Sequence, residues 1–512
     1  MHDSKGIFLG ASQQGKKHLL QPEYIWLAYA NRHGLITGAT GTGKTVTLQV
    51  LAESFSAAGV PVFCADIKGD LSGIAKAGVI NDKIKARAAD VGLKKLEMAA
   101  SPVIFWDIFG EAGHPVRATI SEMGPLLLSR LMNLTPAQEG VLNVAFRVAD
   151  EQKLLLLDLK DLQAMLAYIG EHASGLSSQY GNVSKASVGT IQRELLVLDG
   201  QGGSKFFGEP ALKLSDFMRT TRDGRGMISV LAADKLMNNP RLYSTFLLWL
   251  MSELFEQLPE IGDPDQPRLV FFFDEAHLLF DSAPKALVER IEQVVRLIRS
   301  KGVGIYFISQ NPLDIPQTVL TQLGNRIQHA LRAYTPRETA AIKAAASTFR
   351  ANPDFDTQQA ITNLATGEAL VSTLQEKGVP SVVQKTTIRP PVSQIGPLSE
   401  QERSRIIAAS PVAGQYDQII DRESAYEMLA HAAEHKTGDE ASPADNSGVW
   451  GGVSDAIFGT AGKGGRKRQS VAEAAIKSAT RSAANSIGRA IAKEGVNVVR
   501  GILGNFLGGK GK

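Results

Sequence analysis

His33-Gly34-Leu35-Ile36-Thr37-Gly38-Ala39-Thr40-Gly41-Thr42-Gly43-Lys44-Thr45-Val46 is the stretch whose reading decides the fold. From Gly38 to Thr45 it contains G-x-x-x-x-G-K-[ST] in full. The apolar pair Leu35-Ile36 leads in, and a helical pattern (Val46, Val50, Leu51) leads out. That order predicts a strand, a phosphate-binding loop and a helix. Glycines at 38, 41 and 43 let backbone N–H groups turn inward on a phosphate, so Gly38, Ala39, Thr40, Gly41, Thr42, Gly43, Lys44, Thr45 and Val46 are the candidate nucleotide contacts. Lys44, read as lying on an exposed loop, is expected to reach the β- and γ-phosphates of ATP, and the Thr45 hydroxyl to hold Mg2+.

A second motif completes such a site. In Leu269-Val270-Phe271-Phe272-Phe273-Asp274-Glu275-Ala276-His277 five apolar residues fit a strand buried on both faces of a parallel sheet, with two carboxylates at its end. Asp274 is the candidate Mg2+ residue and Glu275 the candidate general base. His277 reads as a structural contact. Gly302 to Ser309 is another buried strand, and Gln310 after it suits orienting the lytic water, sensing the γ-phosphate or capping a turn. Val60 to Ile67 is a further strand ending in Asp66-Ile67-Lys68-Gly69-Asp70, polar residues either at a ligand-binding strand end or in a solvated turn.

At 512 residues, with 44% hydrophobic and 21% charged residues, the chain suits a soluble protein of two or three domains. The single cysteine, Cys64, lies in an apolar run and cannot pair internally, which suits a reducing, cytoplasmic setting. No signal pattern and no apolar run of membrane-spanning length is read. The net charge of +3 hides an asymmetry. Between Gly462 and Lys512 eleven basic residues face two acidic ones, so that stretch carries +9 and the rest −6. A basic tail on an acidic body points to nucleic acid or an anionic surface.

The expected organisation is α/β. Residues 1–118 carry the P-loop and the first strands, and 119–225 are a mostly helical insertion containing a Ser/Gly-rich loop from Ser174 to Ser187. Residues 226–396 hold the strand with the two carboxylates and the Gln310 strand, and 397–436 a helical extension. Residues 437–465 read as a flexible linker and 466–512 as a basic amphipathic tail.

Asn31-Arg32-His33 before the P-loop, Phe271 to His277, Lys301-Gly302-Val303-Gly304 and Ile308-Ser309-Gln310 together resemble the HerA–FtsK superfamily, and most closely the HerA-like bacterial group often called YjgR-like. The resemblance implies a RecA-like motor ATPase that works on DNA as a ring, usually hexameric. It implies further that Arg32 and Arg299 act across subunit boundaries or sense the γ-phosphate, with Arg326 another candidate. HerA-type translocases carry a β-barrel ahead of the motor. Here the P-loop begins within forty residues of the start, so no barrel is expected, and a helical insertion distinguishes the core.

Two functions suit these residues. One is an ATP-driven motor on DNA with sites closed between subunits. The other is a nucleotide-dependent assembly or switch protein that binds a protein partner or a membrane surface. Ile487, Ile491, Val498, Ile502 and Phe506 among lysines and arginines would make its tail an interfacial helix.

Overall fold

Among the described residues twelve strands carry the structure, in chain order β1 (Gly6–Gln14), β2 (Leu19–Trp26), β3 (Gly34–Thr37), β4 (Val62–Asp66), β5 (Val103–Asp107), β6 (His114–Pro115), β7 (Ile228–Ala232), β8 (Leu269–Phe273), β9 (Val303–Ser309), β10 (Asn325–Gln328), β11 (Glu368–Ser372) and β12 (Gln384–Ile388). The computed structural model describes residues 5–14, 19–281, 285–332 and 335–438. The expected linker from residue 439 and the basic tail 466–512 lie outside the described residues. Two compact units divide the chain: Met1–Thr135 with Arg193–Asp421, and residues 136–192 with those from 422 onward.

All twelve strands belong to the first unit and form one sheet in the order β2-β1-β12-β11-β10-β3-β9-β8-β4-β7-β5-β6. The eight strands from β10 to β6 run parallel. Those from β11 to β2 are antiparallel to their neighbours. The architecture is therefore α/β with a mostly parallel sheet. Every residue of β4, β5, β7, β8 and β9 is buried, as expected of strands covered on both faces.

The three phenylalanines of β8 show how the period of two divides the core. Phe272 lies against Phe55 of the P-loop helix and Tyr306 of β9, with ring centroids 6.2 and 5.2 Å away. Phe271 meets Phe63, and Phe273 meets Phe307. The helix Lys44–Ala57 buries Leu48, Val50, Leu51, Ala52 and Phe55. A strap of chain after β12 holds it down: Glu53 accepts from the backbone N–H groups of Val392 and Ser393 and pairs with Arg389 at 3.0 Å.

The first residues contribute more than their mixed composition suggests. Ile7, Leu9 and Ala11 alternate inward along β1, which joins β2 to the sheet's antiparallel end. β10 ends at Gln328 because the chain then turns onto the P-loop, where the His329 N–H donates to Thr37 O and the Ala39 N–H to Ala330 O. Segment 119–225 is largely helical.

In the second unit the helices Pro136–Glu151, Leu159–Glu171 and Ala425–Gly438 bury Val141, Leu142, Leu162, Met165, Leu166 and Ile169. Asp161 closes the N-terminus of its own helix and accepts from Ser424 Oγ and the Tyr426 N–H. Ser174–Ser187 is not a loop. Ala173–Tyr180 is a helix, and another starts at Lys185. Ala173 and Leu176 bury one side of the first, and the Val183 N–H donates to Ser177 Oγ, so residues that favour turns are absorbed by packing.

Candidate nucleotide-binding site

β3 delivers the chain into the P-loop at the carboxyl end of the parallel sheet. Gly38 has φ 153° and Gly43 φ 117°, both in the region that favours glycine. A Cβ on Gly38 would lie 2.5 Å from His329 Cβ, and one on Gly43 3.3 Å from Gly367 Cα. Neighbouring backbone therefore fixes the loop: the Ala39 N–H donates to Ala330 O and the Gly367 N–H to Thr42 O. His329 supports the loop from beneath. Its Nδ1 donates to Glu368 O and its Nε2 accepts from Thr47 Oγ1, 2.9 Å each. Burial first, then the Lys44 charge, lowers its pKa to about 4, so the ring is neutral.

Lys44 is not exposed. It opens the P-loop helix, is only 6% accessible, and donates from Nζ to Gly38 O at 2.7 Å and Ala39 O at 3.2 Å. The loop that would wrap a phosphate wraps the lysine. Burial and the nearby Lys68 lower its pKa, against the pull of Glu275 and Asp274.

Strand order brings the other predicted groups beside it. β9 lies between β3 and β8, and β8 lies next to β4, so Gln310, Asp274, Glu275 and the residues after Asp66 emerge on one edge. Glu275 has φ 46° and ψ 48°, a left-handed backbone uncommon for a residue with a side chain. Its N–H donates to Asp274 Oδ1 at 2.9 Å. Its carboxylate is 2.5 Å from Lys68 Nζ, accepts from Gln310 Nε2 at 3.3 Å, and lies 3.3 Å from His277 Nδ1. Burial raises the Glu275 pKa, but Lys68, Gln310 and His277 outweigh it and hold the carboxyl below its usual range. Asp274 goes the other way: burial, with the charges of Glu275 and Asp70, pushes it up to about 6. Asp66, buried and accepting from the N–H groups of Gly69 and Leu71, is raised to about 7 by burial and Asp70.

Four carboxylates (Asp66, Asp70, Asp274, Glu275) thus share this edge with the ammonium groups of Lys44 and Lys68. The surplus negative charge, and hard oxygen donors on Asp274 and half-buried Thr45, fit a Mg2+ ion that takes few protein ligands and keeps its water.

The three arginines stand elsewhere. Arg32 and Arg299 precede β3 and β9, at the amino-terminal edge of the sheet. β9 spans seven residues, which at the usual rise sets them about 20 Å from the P-loop edge. Both converge on Asp263: Arg299 Nη2 donates to its two oxygens at 2.8 and 3.0 Å, and Arg32 Nη2 lies 3.7 Å away. Arg326 is on the same edge and donates to Leu323 O and Leu320 O, closing the end of a short helix.

In the sequence Lys68 stays open between a ligand-binding strand end and a solvated turn, His277 reads as a structural contact, and His329 is not picked out. Lys68 had a signal, its place at the end of a strand that could neighbour β8. For His329 there was none, because its role depends on β10 lying against β3.

The fold and this edge define a P-loop nucleotide-binding core. The chain belongs to the helicase HerA-like C-terminal family, whose profile matches residues 11–512. It is 31% identical over 125 residues to a probable helicase of Methanocaldococcus jannaschii, an alignment spanning 24% of this chain and only 22% of that relative. Among solved structures it is similar to VirB4 of Thermoanaerobacter pseudethanolicus (17% identity, TM-score 0.47, 76% of this chain and 97% of that one). It is also similar to the plasmid coupling protein TrwB in complex with ADP and Mg2+ (14%, 0.45, 77% and 98%). With TM-scores below 0.5, the fold assignment rests on the strand order and the family.

Proposed function

We propose that this chain hydrolyses Mg-ATP and uses the cycle to move along DNA, as a HerA-like motor with sites completed between subunits. The observation that carries the catalytic part is the Glu275 carboxylate, kept ionised by Lys68 and bracketed by Gln310 on the edge where the P-loop opens. Lys44 exchanges the carbonyls of Gly38 and Ala39 for the β- and γ-phosphate oxygens. Glu275 accepts the proton of the attacking water, and Gln310, donating to Glu275, orients that water or reports the γ-phosphate. Asp274 and Thr45 would hold Mg2+, which supplies charge neutralisation at the β- and γ-oxygens.

Arg299 and Arg32 are too far from their own P-loop to serve it. Their support for an oligomer is position: a neighbour whose P-loop edge faced this amino-terminal edge would receive a guanidinium on its γ-phosphate. The family's helicase description favours DNA as the track.

ATP turnover with and without double-stranded DNA, alongside solution mass, tests the reading. Stimulation by DNA that falls steeply with salt, in an oligomer, supports it. Turnover indifferent to DNA, with vesicle or protein binding lost on deleting residues 466–512, would replace the motor by the switch.

A further inference from the structure

We propose that Arg87 and the turn at residues 365–367 form the wall of the nucleotide site on its nucleoside side, with the guanidinium lying against the base. The inference rests on the ATP-site reading above and assigns a residue outside both motifs.

Orientation comes first. The γ-phosphate end is fixed by Asp274 and Glu275, which follow β8, on one side of β3 with β9 between. A nucleotide threaded through the P-loop therefore sends its α-phosphate and nucleoside to the other side, over β10 and β11. There the turn before β11 is tied to the P-loop: the Gly367 N–H donates to Thr42 O at 2.9 Å, and Gly43 approaches so closely that its Cβ would lie 3.3 Å from Gly367 Cα.

Arg87 covers that turn. It stands in the last turn of the helix Asp82–Asp90 and is half-buried, whereas most of that helix is exposed. Its Nη2 donates to Thr366 O at 3.0 Å and its Nη1 reaches Gly367 O at 3.5 Å. A Cβ on Gly367, which has φ 79°, would lie 3.1 Å from Nη2, so a residue with no side chain lets the guanidinium settle there. One residue thus separates the cation from Gly43. Both carbonyl contacts use the guanidinium's in-plane N–H groups and leave its face for stacking, which a purine suits. An arginine that merely capped a surface turn would have the same two hydrogen bonds, so the test must separate base contact from turn support.

Binding of ADP and of inorganic triphosphate, each with Mg2+, would be measured by calorimetry on the full chain and on Arg87→Ala and Arg87→Lys. Arg87→Ala is expected to weaken ADP about tenfold, the range of a stacked cation, and to leave triphosphate unchanged. Arg87→Lys should recover only part of the loss, because an ammonium has no planar face. Equal weakening of both ligands would mean that the arginine only props the P-loop, and no change in either would remove it from the site. Both outcomes overturn the inference. Failure of the unsubstituted protein to bind either ligand would instead reject the nucleotide site itself.

Discussion

Replacing Lys68 by methionine keeps the length of the side chain and removes one charge from the edge where Asp274 and Glu275 stand. Two unit charges 2.5 Å apart, the Lys68–Glu275 separation, attract by about 7 kcal/mol at an effective dielectric of 20 and by about 2 kcal/mol in bulk water. Because the Lys68 side chain is 38% exposed, the screened value governs. About 2 kcal/mol is about 1.5 pK units. The sign follows from which form Lys68 favours. Its charge lowers the pKa of Glu275 and, more weakly, of Asp274, so both rise when it is gone. Hydrolysis needs both ionised, and its acid limb is set by the higher of the two, Asp274 at about 6. In Lys68→Met the acid limb of kcat/KM, which reports the free enzyme, should therefore move to higher pH, by less than the about 1.5 units expected at Glu275, because Lys68 acts more weakly on Asp274. Turnover of Mg-ATP between pH 5 and 9 in both proteins, read as a difference, cancels the titration of ATP itself. Coincident acid limbs, or a shift to lower pH, would refute the claim that Lys68 holds these carboxylates ionised.

Three further outcomes are expected. Glu275→Gln should bind ATP with near-normal affinity but turn it over at least about a hundredfold more slowly, the lower range of general-base contributions; normal single-turnover rates would send the search for the base to Asp70. Arg299→Ala subunits keep their own P-loop and Lys44→Ala subunits keep the arginine, so mixing the two inactive proteins should restore some turnover. No recovery, with wild-type activity independent of protein concentration, would remove the trans arginine and weaken the ring. Glu53→Ala should leave the half-buried Arg389 without its carboxylate partner and free the strap at Val392-Ser393, costing about 3 kcal/mol in urea unfolding; a change below about 1 kcal/mol would show that the strap does not secure the P-loop helix.

Local patterns in the chain were enough for the P-loop and for the strand that ends in Asp274 and Glu275. Glycine spacing and an all-apolar run report backbone freedom and two-sided burial directly, so β3, β4, β8 and β9 could be placed from sequence with errors of a residue or two. The loop expected at Ser174–Ser187 failed for the opposite reason: its serines and glycines favour turns, and only the burial of Ala173 and Leu176 outweighs them. Which polar groups meet was decided by strand order, and no local pattern encodes that. Placing β9 between β3 and β8 sets Gln310 against Glu275, and placing β4 beside β8 sets Lys68 there as well. The same order puts Arg32 and Arg299 at the far edge, joined through Asp263, a residue that reads in the sequence as part of an ordinary loop. Residue types and spacing thus determine which chemistry the chain carries. The long-range pairing of parallel strands, whose energy lies in contacts between distant segments, decides where that chemistry converges.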